Sequence, residues 1–317
     1  MTDPVAGRRR RVGFLGPAGT FTEEALLTQG DLAAAELVPL PSIPAVLAAA
    51  ARREVDLGFV AIENAIEGTV NVTVDTLAFG PDDLLIQREV VTPVRLHLLG
   101  RPGATLAGVE RVLSFPHATA QCRAFLDAEL PGARTEAANS TAEAARLVGE
   151  GDDPTVAAIG TARAAGLYGL DVLAADVEDH PDNATRFVVV ATEGVPAPTG
   201  HDKTTIVVFQ HADRPGSLLA ILQEFAARAL NLTKLESRPT KRGLGDYCFV
   251  VDLAGHVADE LVADCLRDLR SKQPDVRFLG SYPAAGEHGP AVRRDAEAAW
   301  RAADAWVAGL RDQVGAG

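Results

Sequence analysis

Along the first 190 residues, short apolar runs alternate with stretches in which apolar residues recur every three or four positions. The runs at residues 12–15, 57–62, 84–90, 95–99, 112–114, 156–159 and 187–191 have the length of buried strands, and the stretches between them have the period of helices. The alternation predicts an α/β architecture with a largely parallel sheet or sheets. Helix starts are marked by Ser42 ahead of Pro44, and by Asn139-Ser140-Thr141-Ala142-Glu143, in which Ser140 and Glu143 have capping-box spacing. A further helical pattern opens at Glu23, just after Gly16-Pro17-Ala18-Gly19-Thr20-Phe21-Thr22. Backbone N–H groups left free at that helix start predict an anion site.

The pattern changes near residue 192. Two prolines and two glycines within residues 192–202 read as a linker, assigned to 193–202. Beyond it, strands are expected at 204–209, 232–237, 247–253 and 276–281, helices at 217–229 and 258–269, and a turn at 241–245. The order is βαββαβ, the ferredoxin-like split arrangement. A tail carrying Trp300 and Trp306 reads as a terminal amphipathic helix, and residues 1–10 as disordered.

Composition narrows the class. A chain of 317 residues with 47% hydrophobic content suits two domains with packed cores. A formal charge of −13 argues against a general nucleic-acid binder and against an anionic membrane surface. Cys122, Cys248 and Cys265 form no CxxC pair, so neither a disulfide framework nor a thiolate metal site is expected, and a cytoplasmic setting fits. No apolar run reaches the roughly 18 residues of a membrane span.

One arrangement recurs, in which a strand ends, a short polar segment follows and a helix begins. It occurs at Gly19-Thr20, residues 114–121, Asn139-Ser140-Thr141 and Gly160-Thr161. Each is by itself an ordinary helix cap, but in open α/β sheets such segments converge on one polar cleft. Thr185-Arg186-Phe187 abuts the last apolar run and offers a hydroxyl, a guanidinium and a ring, a set suited to a small, anionic, ring-shaped ligand.

The segments Gly16–Thr22, Ile62-Glu63-Asn64 with Glu67-Gly68, Ser114-Phe115-Pro116-His117 leading to Gln121-Cys122, Asn139-Ser140-Thr141 and Thr185-Arg186-Phe187 occur in one order. As a series they resemble the prephenate dehydratase family, in its monofunctional form. Arg214-Pro215-Gly216-Ser217-Leu218 and Glu236-Ser237-Arg238-Pro239 resemble the ACT regulatory domain that follows the catalytic domain in that family. Two departures stand out: Ala65 follows Glu-Asn where the family often has Ser or Thr, and Gly216-Ser217-Leu218 replaces the usual Gly-Ala-Leu.

The resemblance implies two α/β lobes around a cleft, like the type 2 periplasmic binding proteins, over residues 11–192. An ACT domain is implied over 203–282, with a helical tail at 283–317. It implies decarboxylating dehydration of prephenate to phenylpyruvate with no metal or organic cofactor, feedback control by phenylalanine, and a homodimer or homotetramer. Arogenate dehydratase and a non-catalytic small-molecule sensor stand as alternatives.

By the same resemblance Thr185 is the donor to the departing hydroxyl. Asn64, Ser114, Gln121, Arg186, Phe187, Thr20, Thr22, Asn139, Ser140 and Thr141 are the substrate contacts. Gly216, Ser217, Leu218, Glu236, Ser237, Arg238 and Pro239 are the phenylalanine site. Within a regular strand Phe187 shares the face of Thr185 and Arg186 points away, so Arg186 reaches the cleft only where the strand is frayed. If residues 114–121 are helical, Ser114 and Gln121 lie two turns apart on one face. His117 reads as structural, and so does Glu63, which would repel a dianion if unpaired.

Overall fold

The computed structural model describes residues 8–80, 84–210, 214–241, 243, 246–286 and 291–312. The disorder expected at residues 1–10 lies, for residues 1–7, outside them, as does most of the turn expected at 241–245. Arg8, inside them, is tied to Asp56 by an ion pair of 2.6 Å. The chain divides into two compact units, Met1–Thr76 with Val90–Ala191, and Leu77–Glu89 with Thr192–Gly317.

In chain order the first strands are Arg11–Leu15 (β1), Glu36–Leu40 (β2), Leu57–Asn64 (β3), Gly68–Thr69 (β4) and Leu85–Pro93 (β5). His97–Gly100 (β6), Arg111–Ser114 (β7), Arg134–Ala137 (β8), Val156–Gly160 (β9) and Asp171–Ala174 (β10) follow, and then Ala184–Ala191 (β11). One sheet has the order β2-β1-β3-β11-β5 with β4 alongside β3; the second has the order β10-β6-β9-β7-β8. The chain therefore leaves the first lobe after β5, builds the second, and returns as β11. This is the two-lobed arrangement of the type 2 periplasmic binding proteins.

The sheets are mixed, which corrects the expectation of largely parallel ones. β1 runs parallel to β2 and β3, and β7 parallel to β8 and β9, but β11 is antiparallel to β3 and β6 antiparallel to β9 and β10. A parallel neighbour needs a crossover connection. β11 instead enters from the other lobe and lies down against β3 in the opposite sense.

The expected helix starts hold. Ser42 caps Ile43–Ala51 by accepting from the Ala45 N–H at 3.2 Å, with Pro44 in the first turn. Ser140 accepts from the Glu143 N–H at 2.9 Å while the Glu143 carboxylate accepts from the Asn139 N–H at 2.8 Å. β3 and β11 bring Phe59 and Phe187 into the first core, stacked at 4.8 Å. Phe21 packs against that core and also against the core of the second lobe around Leu98, Val112 and Ile159.

In the second unit, Asp202–Phe209 (β12), Leu232–Pro239 (β13), Tyr247–Ala254 (β14) and Asp275–Pro283 (β15) form an antiparallel sheet of order β13-β14-β12-β15. Helices Ser217–Ala226 and Glu260–Lys272 cover one face through Ile221, Phe225, Leu261 and Cys265, packed on Ile206, Val208 and Val251. This is the expected ferredoxin-like βαββαβ order. Leu77–Glu89 belongs to the same unit: Arg277 donates to the carbonyls of Ala78 and Gly80, and Lys203 pairs with Glu89 at 2.8 Å. The tail forms the helix Ala291–Asp312, with Trp300 packed on the core and Trp306 exposed. No described helix is long and apolar enough to cross a membrane.

Candidate active site

Asn64 ends β3 and Thr185 lies at the start of β11, and the antiparallel register pairs them directly. Directly paired residues share a face, so their side chains meet. The Asn64 Nδ2 lies 3.0 Å from Thr185 Oγ1. Its orientation is fixed independently: Asn64 Oδ1 accepts from the backbone N–H groups of Ile66 and Glu67, both at 3.0 Å, which only an oxygen can do. The amide nitrogen must therefore face Thr185 and donate, and the Thr185 hydroxyl, accepting there, keeps its own proton to give elsewhere.

The same amide nitrogen donates to Asn183 Oδ1 at 3.0 Å. Asn183 Nδ2 then reaches Gln121 Oε1 at 3.3 Å, and Gln121 Nε2 reaches the Glu67 carboxylate at 3.3 Å. His117 Nδ1 lies 3.4 Å from Glu67. Gln121 and His117 belong to the second lobe and Asn64, Glu67 and Thr185 to the first, so this chain of amides joins the two. Asn183, only 3% exposed, is missing from the sequence-based set. Its signal there was a lone asparagine two residues ahead of Thr185.

A second seam joins the lobes near the chain start. Thr20 caps Phe21–Leu27, accepting from the Glu23 N–H and donating to the Leu15 carbonyl. The Glu23 carboxylate accepts from the Gly19 N–H at 2.6 Å and pairs with Arg163 at 3.3 Å. Thr161 donates to the Gly19 carbonyl and Tyr168 to that of Ala18. The anion expected at this helix start is thus supplied by the chain's own Glu23. Thr22 sits buried in the first turn of that helix.

Several expectations need correcting. Ser114 is 0% exposed and its hydroxyl donates to the Ile159 carbonyl at 2.9 Å, tying β7 to β9. It shares no helix face with Gln121, because the helix between them spans only Pro116–Ala120 and Gln121 is its C-cap. Phe187, 1% exposed, is a core residue stacked on Phe59 and not a surface for a ligand.

The register shift between Arg186 and Phe187 leaves Ile62 of β3 as the extra residue, so β11 keeps its own period of two and Arg186 lies on the face opposite Thr185. Arg186 is 9% exposed without any fraying, and its guanidinium meets its register partner Glu63 at 3.4 Å. Ser140 is engaged in its capping box, Asn139 is exposed, and Thr141 opens the helix Thr141–Glu150. Beside Gln121, burial pushes the Cys122 thiol up to about 12, with Asp179 and Glu178 adding to the effect.

In the second unit, a concave pocket of about 640 Å³ is lined by Gly216, Ser217, Leu218, Leu219, Ser237 and Tyr247 among others. Gly216 has φ +87°, the left-handed conformation that glycine adopts freely, and starts the helix Ser217–Ala226. Of the expected quartet on β13, Ser237 lines this pocket. Glu236 and Arg238 do not, since alternation puts them on the other face, where they pair at 3.2 Å. Pro239 ends the strand opposite Tyr247.

Comparison with known proteins follows the same division. A profile of the prephenate dehydratase family matches residues 12–195, and one of the ACT domain matches residues 204–271. A prephenate dehydratase of Mycolicibacterium vanbaalenii is 42% identical over 315 residues, 95% of this chain and 98% of its own length. The crystal structure of prephenate dehydratase in complex with L-Phe from Arthrobacter aurescens superposes with a TM-score of 0.88 at 41% identity, covering 95% of this chain and 99% of that one. GqqA, described as a novel type of quorum quenching acylase, superposes with a TM-score of 0.77 at 28% identity, over 87% of this chain and 98% of its own. With over half of its residues under the family profile and a relative 42% identical along nearly its whole length, the chain belongs to the prephenate dehydratase family.

Proposed function

We propose that the chain is a prephenate dehydratase, a carbon–oxygen lyase that converts prephenate to phenylpyruvate, carbon dioxide and water. The observation that carries this reading is the fixed direction of the Asn64–Thr185 hydrogen bond, which leaves the Thr185 proton to the cleft. In the reaction the bond between the ring and its carboxylate breaks, the electron pair enters the ring, and the C–O bond to the ring hydroxyl breaks. Thr185 gives its proton to the departing hydroxide, which leaves as water, and is reprotonated from solvent. A threonine hydroxyl is a very weak acid, so donation is concerted with C–O cleavage; general-acid help of this kind contributes about 10²–10⁴-fold. The Asn64 N–H stabilises the negative charge that builds on Oγ1 meanwhile.

Gln121, Asn139, Ser140, Thr141, Thr20 and Thr22 are the further residues assigned to polar contact with the substrate. Arg186 binds a carboxylate by exchanging it for Glu63. An acyl-transfer activity like that named for GqqA lacks support here. The atom meeting Thr185 Oγ1 is an amide donor and cannot accept a proton, and the Cys122 thiol stays protonated.

The catalytic domain is assigned to residues 11–192, the linker to 193–202, the ACT domain to 203–282 and the tail to 283–317. Phenylalanine binds at the Gly216–Ser237 pocket, between ACT domains of a homodimer or homotetramer, and regulates the enzyme from there. Cys122, Cys248 and Cys265 are buried and form no disulfide, which suits a reducing cytoplasm. The test is to incubate the purified protein with prephenate and follow phenylpyruvate. Turnover of prephenate supports the reading; faster turnover of arogenate moves the substrate, and thermal stabilisation by prephenate without turnover makes the protein a sensor.

A further inference from the structure

The lobes are joined by two chain crossings that run side by side. The segment leaving β5 and the segment entering β11 are laced together. The Val177 N–H donates to the Leu96 carbonyl at 2.8 Å, Arg95 pairs with Glu178 at 2.9 Å, and the Val94 N–H donates to the Asn183 carbonyl at 2.8 Å. Asn183 therefore sits at the hinge with its backbone, while its side chain reaches Asn64 in one lobe and Gln121 in the other.

Every hydrogen bond in this chain has a forced sense. The backbone N–H groups of Ile66 and Glu67 fix Asn64 Oδ1 as acceptor, so Asn64 Nδ2 donates to Asn183 Oδ1 and to Thr185 Oγ1, both at 3.0 Å, with the Ala184 carbonyl a longer third acceptor at 3.3 Å. Asn183 Nδ2 is left to donate to Gln121 Oε1, and Gln121 Nε2 to donate to the Glu67 carboxylate. Such a one-way set polarises along its length, and it is complete only while the second lobe holds Gln121 within reach.

We propose that Asn183 is a positioning residue of the reaction: it accepts from the Asn64 amide and donates to Gln121 of the second lobe, and so couples closure of the lobes to the N–H that supports Thr185. This rests on the dehydratase reading, with Thr185 as donor. Asn183 touches no reacting atom. Its requirement is chemical, namely one acceptor toward Asn64 and one donor toward Gln121 in the same planar group.

Asn183→Asp tests that requirement, because the carboxylate has nearly the amide's shape. Ionised, it accepts from Asn64 but cannot donate to Gln121; protonated, it does both. Turnover of this variant relative to the parent is expected to fall at least about tenfold at pH 7.5, equivalent to about 1.4 kcal/mol, with KM changed less than about threefold. The ratio should recover as the pH is lowered and the new carboxyl protonates. Glu67 and His117 in the network, the Arg186–Glu63 pair, and Asp179, His180 and Asp182 beside the hinge are common to both proteins, which is why the ratio to the parent is read.

A folded variant with parental turnover, or with a loss unchanged across pH, overturns the proposal. Gln121→Leu covers the case in which Asn183→Asp does not fold. Breaking the same joint should lower turnover by a comparable factor, whereas a raised KM with parental turnover makes Gln121 a substrate contact only and overturns the coupling. A parent inactive on prephenate sinks the dehydratase reading itself, whereas an active parent with insensitive variants sinks the Asn183 proposal alone.

Discussion

Asn64 and Thr185, 121 positions apart in the chain, are register partners on adjacent antiparallel strands, with the amide nitrogen 3.0 Å from the hydroxyl oxygen. The pairing solves a chemical difficulty. A threonine hydroxyl used as a proton donor must not spend its proton on a neighbouring acceptor, and an amide N–H aimed at its oxygen prevents that. The two backbone N–H groups that hold Asn64 Oδ1 keep the amide from flipping.

Thr185→Ala is expected to lower turnover at least about a hundredfold, close to 2.7 kcal/mol of barrier, while thermal unfolding stays near that of the parent. Thr185→Ser should retain much more activity. Asn64→Asp should be at least as damaging as Asn64→Ala, because a carboxylate would take the Thr185 proton for itself. Steady-state rates on prephenate settle this, and parental turnover in a folded Thr185→Ala protein would falsify the donor role.

What the sequence disclosed and what it hid follow from the range of the forces involved. Helix caps such as Ser42 and Ser140 with Glu143 are local, and they were legible. The buried strands were legible from their apolar runs. The edge strands Glu36–Leu40, Arg134–Ala137 and Asp171–Ala174 were not, because they are short, largely exposed or half-buried, and carry no apolar alternation; it is backbone pairing with a neighbour that defines them. Thr185 and Asn64 stand out singly, but their pairing depends on the register of two first-lobe strands that the whole second lobe separates in sequence. Asn183 was missed for the same reason. The resemblance groups Glu236 and Arg238 with Ser237 as one motif, and the strand's period of two separates them.

Arg186 is held by Glu63 in this structure, so the carboxylate-binding role proposed for it requires the guanidinium to change partners. Arg186→Lys should raise KM more than it lowers turnover, since an ammonium cannot reproduce a bidentate fork. Glu63→Gln, which weakens the competing partner, should lower KM or leave it unaltered. If Arg186→Lys changes neither constant, Arg186 serves only to tie β11 to β3.

The cysteines give a prediction independent of catalysis. Burial pushes the thiols of Cys122 and Cys265 up to about 12, so both stay protonated at neutral pH and shielded from solvent. Cys248 is also buried. A colorimetric disulfide reagent at pH 8 should find essentially no reactive thiol in the native protein and all three after denaturation. Rapid native reaction of Cys122 would place it on an accessible surface and reopen covalent chemistry beside Gln121.

Regulation by phenylalanine can be tested without dismantling the protein. Removing everything after residue 195 is a poor probe, because Leu77–Glu89 packs within the second unit and would lose its partners, among them Lys203 and Arg277. Gly216→Ala is cleaner. A Cβ there meets nothing within 4 Å, so the only penalty is the left-handed backbone, about 1–2 kcal/mol at one turn. Relaxing that turn moves the start of the helix Ser217–Ala226, where an amino-acid carboxylate would be received. Effector coupling of about 1–3 kcal/mol corresponds to a 5–150-fold change in affinity, so a shift of this size should abolish most of the response. For Gly216→Ala and Ser237→Ala, the ratio of rates with and without phenylalanine is expected to approach one. Glu236→Gln, on the opposite face of β13, should leave that ratio near the parental value. Were the order reversed, with Glu236 critical and the pocket variants still fully inhibited, phenylalanine would have to act from the other face of the sheet.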